Sequence, residues 1–214
     1  MQSHPASHLA MLELPRAAAE MAMIPPAMPL LFSMPRGDGH PVLVIPGFLG
    51  RDIHTSVIRQ YLRIQGYKTF GWSLGRNLGI YKAGGLDALM ARLDEVQDAS
   101  GARKVSLIGW SLGGVFARRM AEAAPHKVRQ VISLGSPIGN ENYLPTSVPS
   151  TAIYSRSDGV VPPHFAQEPE TATTENIEVL SSHSGLVFNP HVLYLLSQKL
   201  SMPESEWKKS QRPS

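Results

Sequence analysis

The chain has 214 residues, 43% of them hydrophobic and 17% charged, a size and balance suited to one globular domain with a substantial core. Its formal charge of +3 is mild, and its basic residues are scattered apart from Lys208, Lys209 and Arg212, so no nucleic-acid module is read from it. With no cysteine, disulfides, thiolate nucleophiles and cysteine-based metal sites are excluded.

Residues 1–36 read as an N-terminal arm rich in Met, Ala and Pro, holding six of the nine methionines. Pro15 is expected to open a short helix to Met23, with Pro25 and Pro26 stopping it. Two roles fit the arm: packing on the domain, or an adaptable apolar flap near a substrate site or membrane surface. No signal peptide and no run of about twenty apolar residues is found, so a cytoplasmic protein without stable membrane insertion is expected. Residues 37–203 read as the domain proper and 204–214 as a polar C-terminal tail.

From residue 40 onward, strands alternate with helices. Val42–Ile45 is a β-branched run ended by Pro46-Gly47, and Thr55–Gln65 is helical up to Gly66. Lys68–Trp72 is a strand. Leu86–Ala99 is a helix with apolar residues at Leu86, Leu89, Met90, Leu93 and Val96. Val105–Ile108 is a buried-type strand, Gly114–Ala123 a helix closed by Pro125, and Val128–Leu134 a strand. Thr151–Tyr154 and Ile177–Leu180 complete the strands. Asn189-Pro190 then looks like an N-cap with proline in the first turn, opening a helix to about Leu200. This order predicts an α/β fold with a minimal, mostly parallel sheet of about six strands and helices on both faces. Chemistry is expected at the carboxyl ends of its strands.

Gly-Trp-Ser-Leu-Gly occurs twice, at 71–75 and 109–113. G-x-S-x-G is the nucleophile-elbow pattern, in which the serine occupies a strained turn between strand and helix. Only the second copy has that context, following Lys-Val-Ser-Leu-Ile and running into a good helix, so Ser111 is the expected nucleophile. The first copy leads into a glycine-rich stretch, and Ser73 is read as a loop or pocket-rim residue.

A serine hydroxyl needs a histidine to accept its proton and a carboxylate to orient that histidine. At such elbows the chain order is serine, acid, histidine. Asp158 is the only aspartate after Ser111 and follows a strand end in Ser-Asp-Gly-Val-Val-Pro. Glu168, Glu170 and Glu175 lie in a polar stretch and are weaker candidates. Of the downstream histidines, His164 is too near Asp158 and His191 lies in a helix first turn, which leaves His183 as the base. The transition-state oxyanion needs preorganised N–H donors. Leu112 N–H is one expected donor and Phe48 N–H the other, with Gly47 letting the backbone approach. Gly47, Trp72, Trp110 and Leu186 are expected at the substrate site, together suited to apolar acyl chains. The histidines do not form an i, i+4 pair with a helix glutamate, which disfavours a metal enzyme.

Five strings in order, Val-Ile-Pro-Gly-Phe-Leu-Gly, Gly-Trp-Ser-Leu-Gly-Gly, Ser-Leu-Gly-Ser-Pro, Ser-Asp-Gly-Val-Val-Pro and Ser-His-Ser-Gly-Leu, resemble the α/β-hydrolase superfamily over residues 40–200. The likeness is to its compact bacterial lipase and esterase branch. It implies a cofactor-free hydrolase acting on a small-molecule or lipid ester, with the triad and oxyanion residues at the positions named. Thioesterases and acyltransferases would use the same triad, and a non-catalytic hydrolase fold used for binding is a rival of a different class. Two departures stand out. Pro46-Gly47 replaces the His-Gly found in many members, and the dozen residues Ile138–Pro149 are too few for the helical cap the family often inserts.

Overall fold

The computed structural model describes residues 7–139 and 146–210. Six strands form one fully parallel sheet: β1 Pro41–Ile45, β2 Lys68–Gly71, β3 Val105–Trp110, β4 Val128–Leu134, β5 Ser150–Tyr154 and β6 Thr174–Glu178. Their spatial order is β2-β1-β3-β4-β5-β6. The chain builds β1 and β2 in one direction and then crosses back to add β3 to β6 in the other. The topological switch therefore lies between β1 and β3, where parallel α/β sheets open a crevice at the strand carboxyl ends.

Among the described residues, seven helices accompany the sheet: α1 Ser7–Met11, α2 Glu13–Ala22, α3 Ile24–Phe32, α4 Ser56–Ile64, α5 Gly85–Ser100, α6 Leu112–Ala123 and α7 Pro190–Leu200. Successive strand residues face opposite sides. Val42 and Val44 join a core with Ile58 and Leu62 of α4 and Leu193 and Leu196 of α7, while Leu43 and Ile45 join another with Leu93 of α5 and Phe116 and Met120 of α6. This two-faced burial explains why the central strands read as nearly continuous apolar runs.

The structure differs from expectation at three boundaries. The last strand runs Thr174–Glu178, three residues before the expected Ile177 start. Its polar sequence hides it, because an edge strand is held by the β5 ladder more than by apolar burial. The helix after Ser111 begins at Leu112, two residues before the expected Gly114. In the arm, Pro25 and Pro26 do not end helical structure. They sit in the first turn of α3, where missing N–H groups cost no intrahelical bond.

Of the connection after β4, residues 135–139 and 146–149 are described, and the expected absence of a cap over Ile138–Pro149 concerns a stretch that lies partly outside the described residues. Among the described residues, no helix is long and apolar enough to cross a membrane.

Candidate active site

Ser111 lies between β3 and α6 with φ 53° and ψ −124°, a backbone region that non-glycine residues rarely occupy. The glycines around it are required by close approach. A Cβ on Gly109 would overlap the Gly113 carbonyl and the backbone of Gly114, and one on Gly113 would overlap the Ile45 carbonyl at the end of β1. The turn is fixed by Ser111 N–H donating to Leu134 O at 2.8 Å and Gly114 N–H donating to Ser111 O at 3.0 Å. The N-terminus of α6, with its unpaired N–H groups and positive dipole end, therefore opens directly after the serine.

Gly135 follows Leu134 and also has positive φ, 53°. A Cβ there would sit 2.9 Å from Asp158 Oδ2 and 3.2 Å from His183 Nδ1, so the end of β4 bridges the serine turn and an acid–histidine pair. His183 Nδ1 lies 2.7 Å from Asp158 Oδ2, and both residues are buried. The other carboxylate oxygen, Oδ1, accepts N–H from Val160 at 2.7 Å and from Val161 at 2.8 Å, which fixes the plane in which Oδ2 meets the ring. The main chain of His183 is held too: its carbonyl accepts the Trp110 indole N–H at 3.1 Å, and the two rings lie 5.6 Å apart. Ser111, Asp158 and His183 thus follow the carboxyl ends of β3, β5 and β6, with Trp110 and Gly135 linking the serine turn to the acid–histidine pair.

The loop after β1 closes the other side. A Cβ on Gly47 would sit 2.9 Å from Ser111 Cβ and 3.2 Å from the Trp110 ring, so the backbone passes the serine as closely as a glycine allows. Phe48, next in sequence, exposes its side chain. Asn77 holds this loop, a residue sequence reading did not single out. It is fully buried; its side-chain amide donates to Pro46 O at 2.8 Å and its backbone N–H to Gly50 O at 2.8 Å, while its carbonyl accepts Leu49 N–H at 2.7 Å. Leu112 opens α6 directly after Ser111, and Phe48 follows Gly47 in this loop.

The four expected substrate residues separate. Gly47 and Trp110 adjoin Ser111, whereas Leu186 packs on Gly135 from the first core, is 0% exposed and offers substrate no accessible surface. Trp72 is corrected: it is 1% exposed within the α5–α6 core, its indole N–H donating to Gly75 O at 2.9 Å, so it offers substrate no accessible surface. Ser73 repeats the positive φ of Ser111, at 59°, but follows the edge strand β2 and leads into turns rather than a helix. Its N–H and that of Trp72 donate to the Asp52 carboxylate at 3.1 and 2.9 Å. The shared pentapeptide dictates the bend, and its surroundings decide the use.

A hydrogen-bonded serine–histidine–aspartate chain occurs at the opposite end of the sheet. His40 Nδ1 lies 2.5 Å from Asp38 Oδ1 and its Nε2 2.9 Å from Ser106 Oγ. Ser106 is fully buried near the amino end of β3, so no ester reaches it. A cleft of about 510 Å³ along β6, lined by Tyr154, Glu175 and Lys209 among others, contains no histidine. Among the described residues, no group of three His, Asp or Glu side chains is arranged to hold a metal ion.

Residues 41–147 match a family described as the alpha/beta hydrolase fold. Triacylglycerol lipases of Pseudarthrobacter phenanthrenivorans and Burkholderia plantarii are each 30% identical over 131 residues; the matches cover 53% of this chain and 41% and 37% of those proteins. The chain therefore spans about two-fifths of the length of the curated relatives it matches. Among solved structures, a lipase-esterase related protein from Clostridium acetobutylicum aligns with TM-score 0.59 at 13% identity, covering 77% of this chain and 97% of that one. An alpha/beta hydrolase enzyme from the metagenome of Mar Chica lagoon sediments aligns with TM-score 0.58 at 18% identity, covering 76% and 90%. At these identities the structural likeness establishes the fold alone.

Proposed function

The chain belongs to the α/β-hydrolase fold family, and on that premise we propose that it is a serine hydrolase that cleaves carboxylic esters through an acyl-enzyme. The observation that carries this reading is the buried His183–Asp158 pair, 2.7 Å apart, beside a serine in a strained strand-to-helix turn. Structural networks seldom place a serine at positive φ, since that conformation costs about 1–3 kcal/mol unless the surroundings enforce it.

In the proposed reaction Ser111 Oγ attacks the ester carbonyl carbon while His183 Nε2 takes the hydroxyl proton. Asp158 stabilises the resulting imidazolium through Nδ1. The carbonyl oxygen becomes an oxyanion that accepts from Leu112 N–H and Phe48 N–H, two donors on backbone already held in place, so little reorganisation accompanies the charge. The alcohol departs with the proton from His183. Water, deprotonated by the same histidine, then attacks the acyl-enzyme to release the acid and regenerate Ser111. Trp110 and the exposed Phe48 and Leu49 give this end of the sheet an apolar character that suits an acyl chain. The lipase names of the two curated relatives support an ester substrate, though over part of their length.

The test is hydrolysis of p-nitrophenyl esters from acetate to palmitate by wild type, Ser111→Ala and Ser73→Ala, with fluorophosphonate labelling. Wild type and Ser73→Ala should turn over and be labelled, and Ser111→Ala should do neither. Labelling confined to another residue would sink the nucleophile assignment. A folded wild type inert on every ester but active on acyl-thioesters would replace the ester assignment with thioester hydrolysis by the same residues.

A further inference from the structure

Helix α2 turns its charges toward the protein and its large apolar side chains, Leu14 and Met21, toward solvent. Leu14 and Met21 are 77% and 49% exposed, whereas Glu13 is 7% exposed. Glu13, Arg16 and Glu20 recur at spacings of three and four residues, which puts them on one helix face. An ordinary surface helix buries its apolar stripe instead. What this charged face grips is the pair of loops carrying Asp158 and His183.

The contacts are specific. Glu13 Oε1 accepts Gly159 N–H at 2.8 Å and His183 N–H at 3.0 Å, and Oε2 accepts Ser184 N–H at 3.1 Å. One carboxylate thereby joins the residue after the acid to the base itself. Arg16 donates to Ser157 O at 2.6 Å and Ser157 Oγ at 2.7 Å, on the residue before the acid. Glu20 accepts Ser182 N–H at 2.6 Å, Ser181 O–H at 2.5 Å and the Asn189 side-chain amide at 2.8 Å. Two glycines leave room for the arm: a Cβ on Gly159 would sit 2.7 Å from the backbone of Leu9 and Ala10, and one on Gly185 would overlap the Glu20 carboxylate.

We propose that α2 is an intramolecular clasp that holds the acid and histidine loops of the triad in register, with Glu13 as its positioning residue. The proposal rests on the triad reading above. Glu13 touches neither substrate nor reacting atoms; it acts through the peptide groups of His183 and Gly159. Charge-assisted hydrogen bonds of this kind are roughly twice as strong as neutral ones. With Glu13 on its N–H, Trp110 on its carbonyl and Asp158 on Nδ1, His183 is fixed at three points, so losing one tilts the imidazole relative to Ser111 rather than freeing it.

The experiment uses the full chain with Glu13→Ala, Glu13→Gln and, on the outer face, Leu14→Ser. Glu13→Ala should lower kcat about tenfold to a hundredfold with KM within about twofold, the signature of a misplaced catalytic group rather than a weakened substrate site. Amide hydrogen exchange should accelerate in residues 157–161 and 181–186 and stay unchanged in β3, separating local release from general destabilisation. Glu13→Gln keeps one acceptor oxygen for Gly159 and His183 but turns an NH2 toward Ser184 N–H. It should recover most of kcat and still show faster exchange at Ser184. Leu14→Ser should match wild type. A folded Glu13→Ala with wild-type kcat and exchange overturns the clasp. Should Glu13→Ala not fold, unchanged kcat and unchanged Ser184 exchange in Glu13→Gln overturn it equally. Activity surviving in Ser111→Ala would instead remove the triad reading, and the clasp's catalytic role with it.

Discussion

One serine of this chain is hydrogen-bonded to a histidine and another is the proposed nucleophile, and exposure with backbone geometry tells Ser106 and Ser111 apart. Ser106 is itself fully buried within β3, at the end of an Asp38–His40–Ser106 chain, while Ser111 occupies a strained turn after that strand. Ser106→Ala should therefore leave ester hydrolysis intact and lower unfolding stability by about 1 kcal/mol, the usual net value of one hydrogen bond. Asp158→Asn should leave the fold unchanged yet reduce kcat by about 10⁴-fold, because an amide NH2 facing Nδ1 selects the wrong histidine tautomer. Steady-state kinetics with urea unfolding of both variants checks the pair. A Ser106→Ala protein with lost activity at full stability would refute the distinction. The proposed triad Ser111, Asp158 and His183 could be named from the sequence because each follows a strand end in the order the proposal needs. Glu13 and Asn77 could not, since a glutamate in a Met-rich helix and an asparagine in a glycine-rich loop acquire meaning only through what they touch.

At the scale of elements, the strand–turn–helix unit of β3, Ser111 and α6 depends on backbone contacts that no side chain can enter. A Cβ on Gly113 would run into the Ile45 and Pro46 carbonyls. Gly113→Ala must push α6 away from the end of β1 and with it separate the Leu112 and Phe48 N–H groups. The expected outcome is a loss of more than about 2 kcal/mol in stability, with hydrolysis falling further than the unfolded fraction accounts for. Thermal unfolding beside kinetics at low temperature checks both parts. Helix positions α4 to α7 were legible from apolar spacing and from caps such as Asn189, whose side chain accepts His191 N–H at 2.9 Å. Strand β6 was misplaced because its residues are polar and its neighbour, not its own burial, makes it a strand.

For the whole molecule, stability depends on ionisable groups packed away from the crevice. Arg118 and Glu168 form a buried pair, and Ser150 O–H also donates to Glu168 at 2.7 Å, tying α6 to β5 and the loop before β6. Burial raises the Glu168 pKa against the opposing pull of Arg118. Lys199 of α7 is fully buried against Glu175 of β6 and donates to Lys208 O at 2.9 Å, which docks the segment after α7 along the sheet edge. His40, under the amino end of the sheet, is held below its ordinary pKa of 6.5 by burial and the Arg129 charge, with Asp38 opposing. The unfolded histidine therefore binds a proton more readily than the folded one, so stability falls as pH drops below about 6.5 and levels off beneath the folded-state pKa. Urea midpoints measured from pH 7.5 to 5 should decline over that window, and His40→Gln should flatten that part of the decline. A wild-type midpoint unchanged across the window would contradict it.

By itself the sequence determined the parallel α/β architecture and the strained strand-to-helix turn at Ser111, and it named the residues of the proposed triad. These follow from local rules: periodicity, turn chemistry and the spacing of glycines around a strained residue. Only the tertiary structure decided that one copy of Gly-Trp-Ser-Leu-Gly ends an edge strand and the other a central strand at the topological switch. Tertiary contacts alone also buried Trp72, turned the charged face of α2 inward and set Glu13 between Gly159 and His183 across 146 and 170 residues of chain. Hydrogen bonds across such separations leave no periodic trace, because the partners of a charged side chain are chosen by packing and not by its neighbours in sequence.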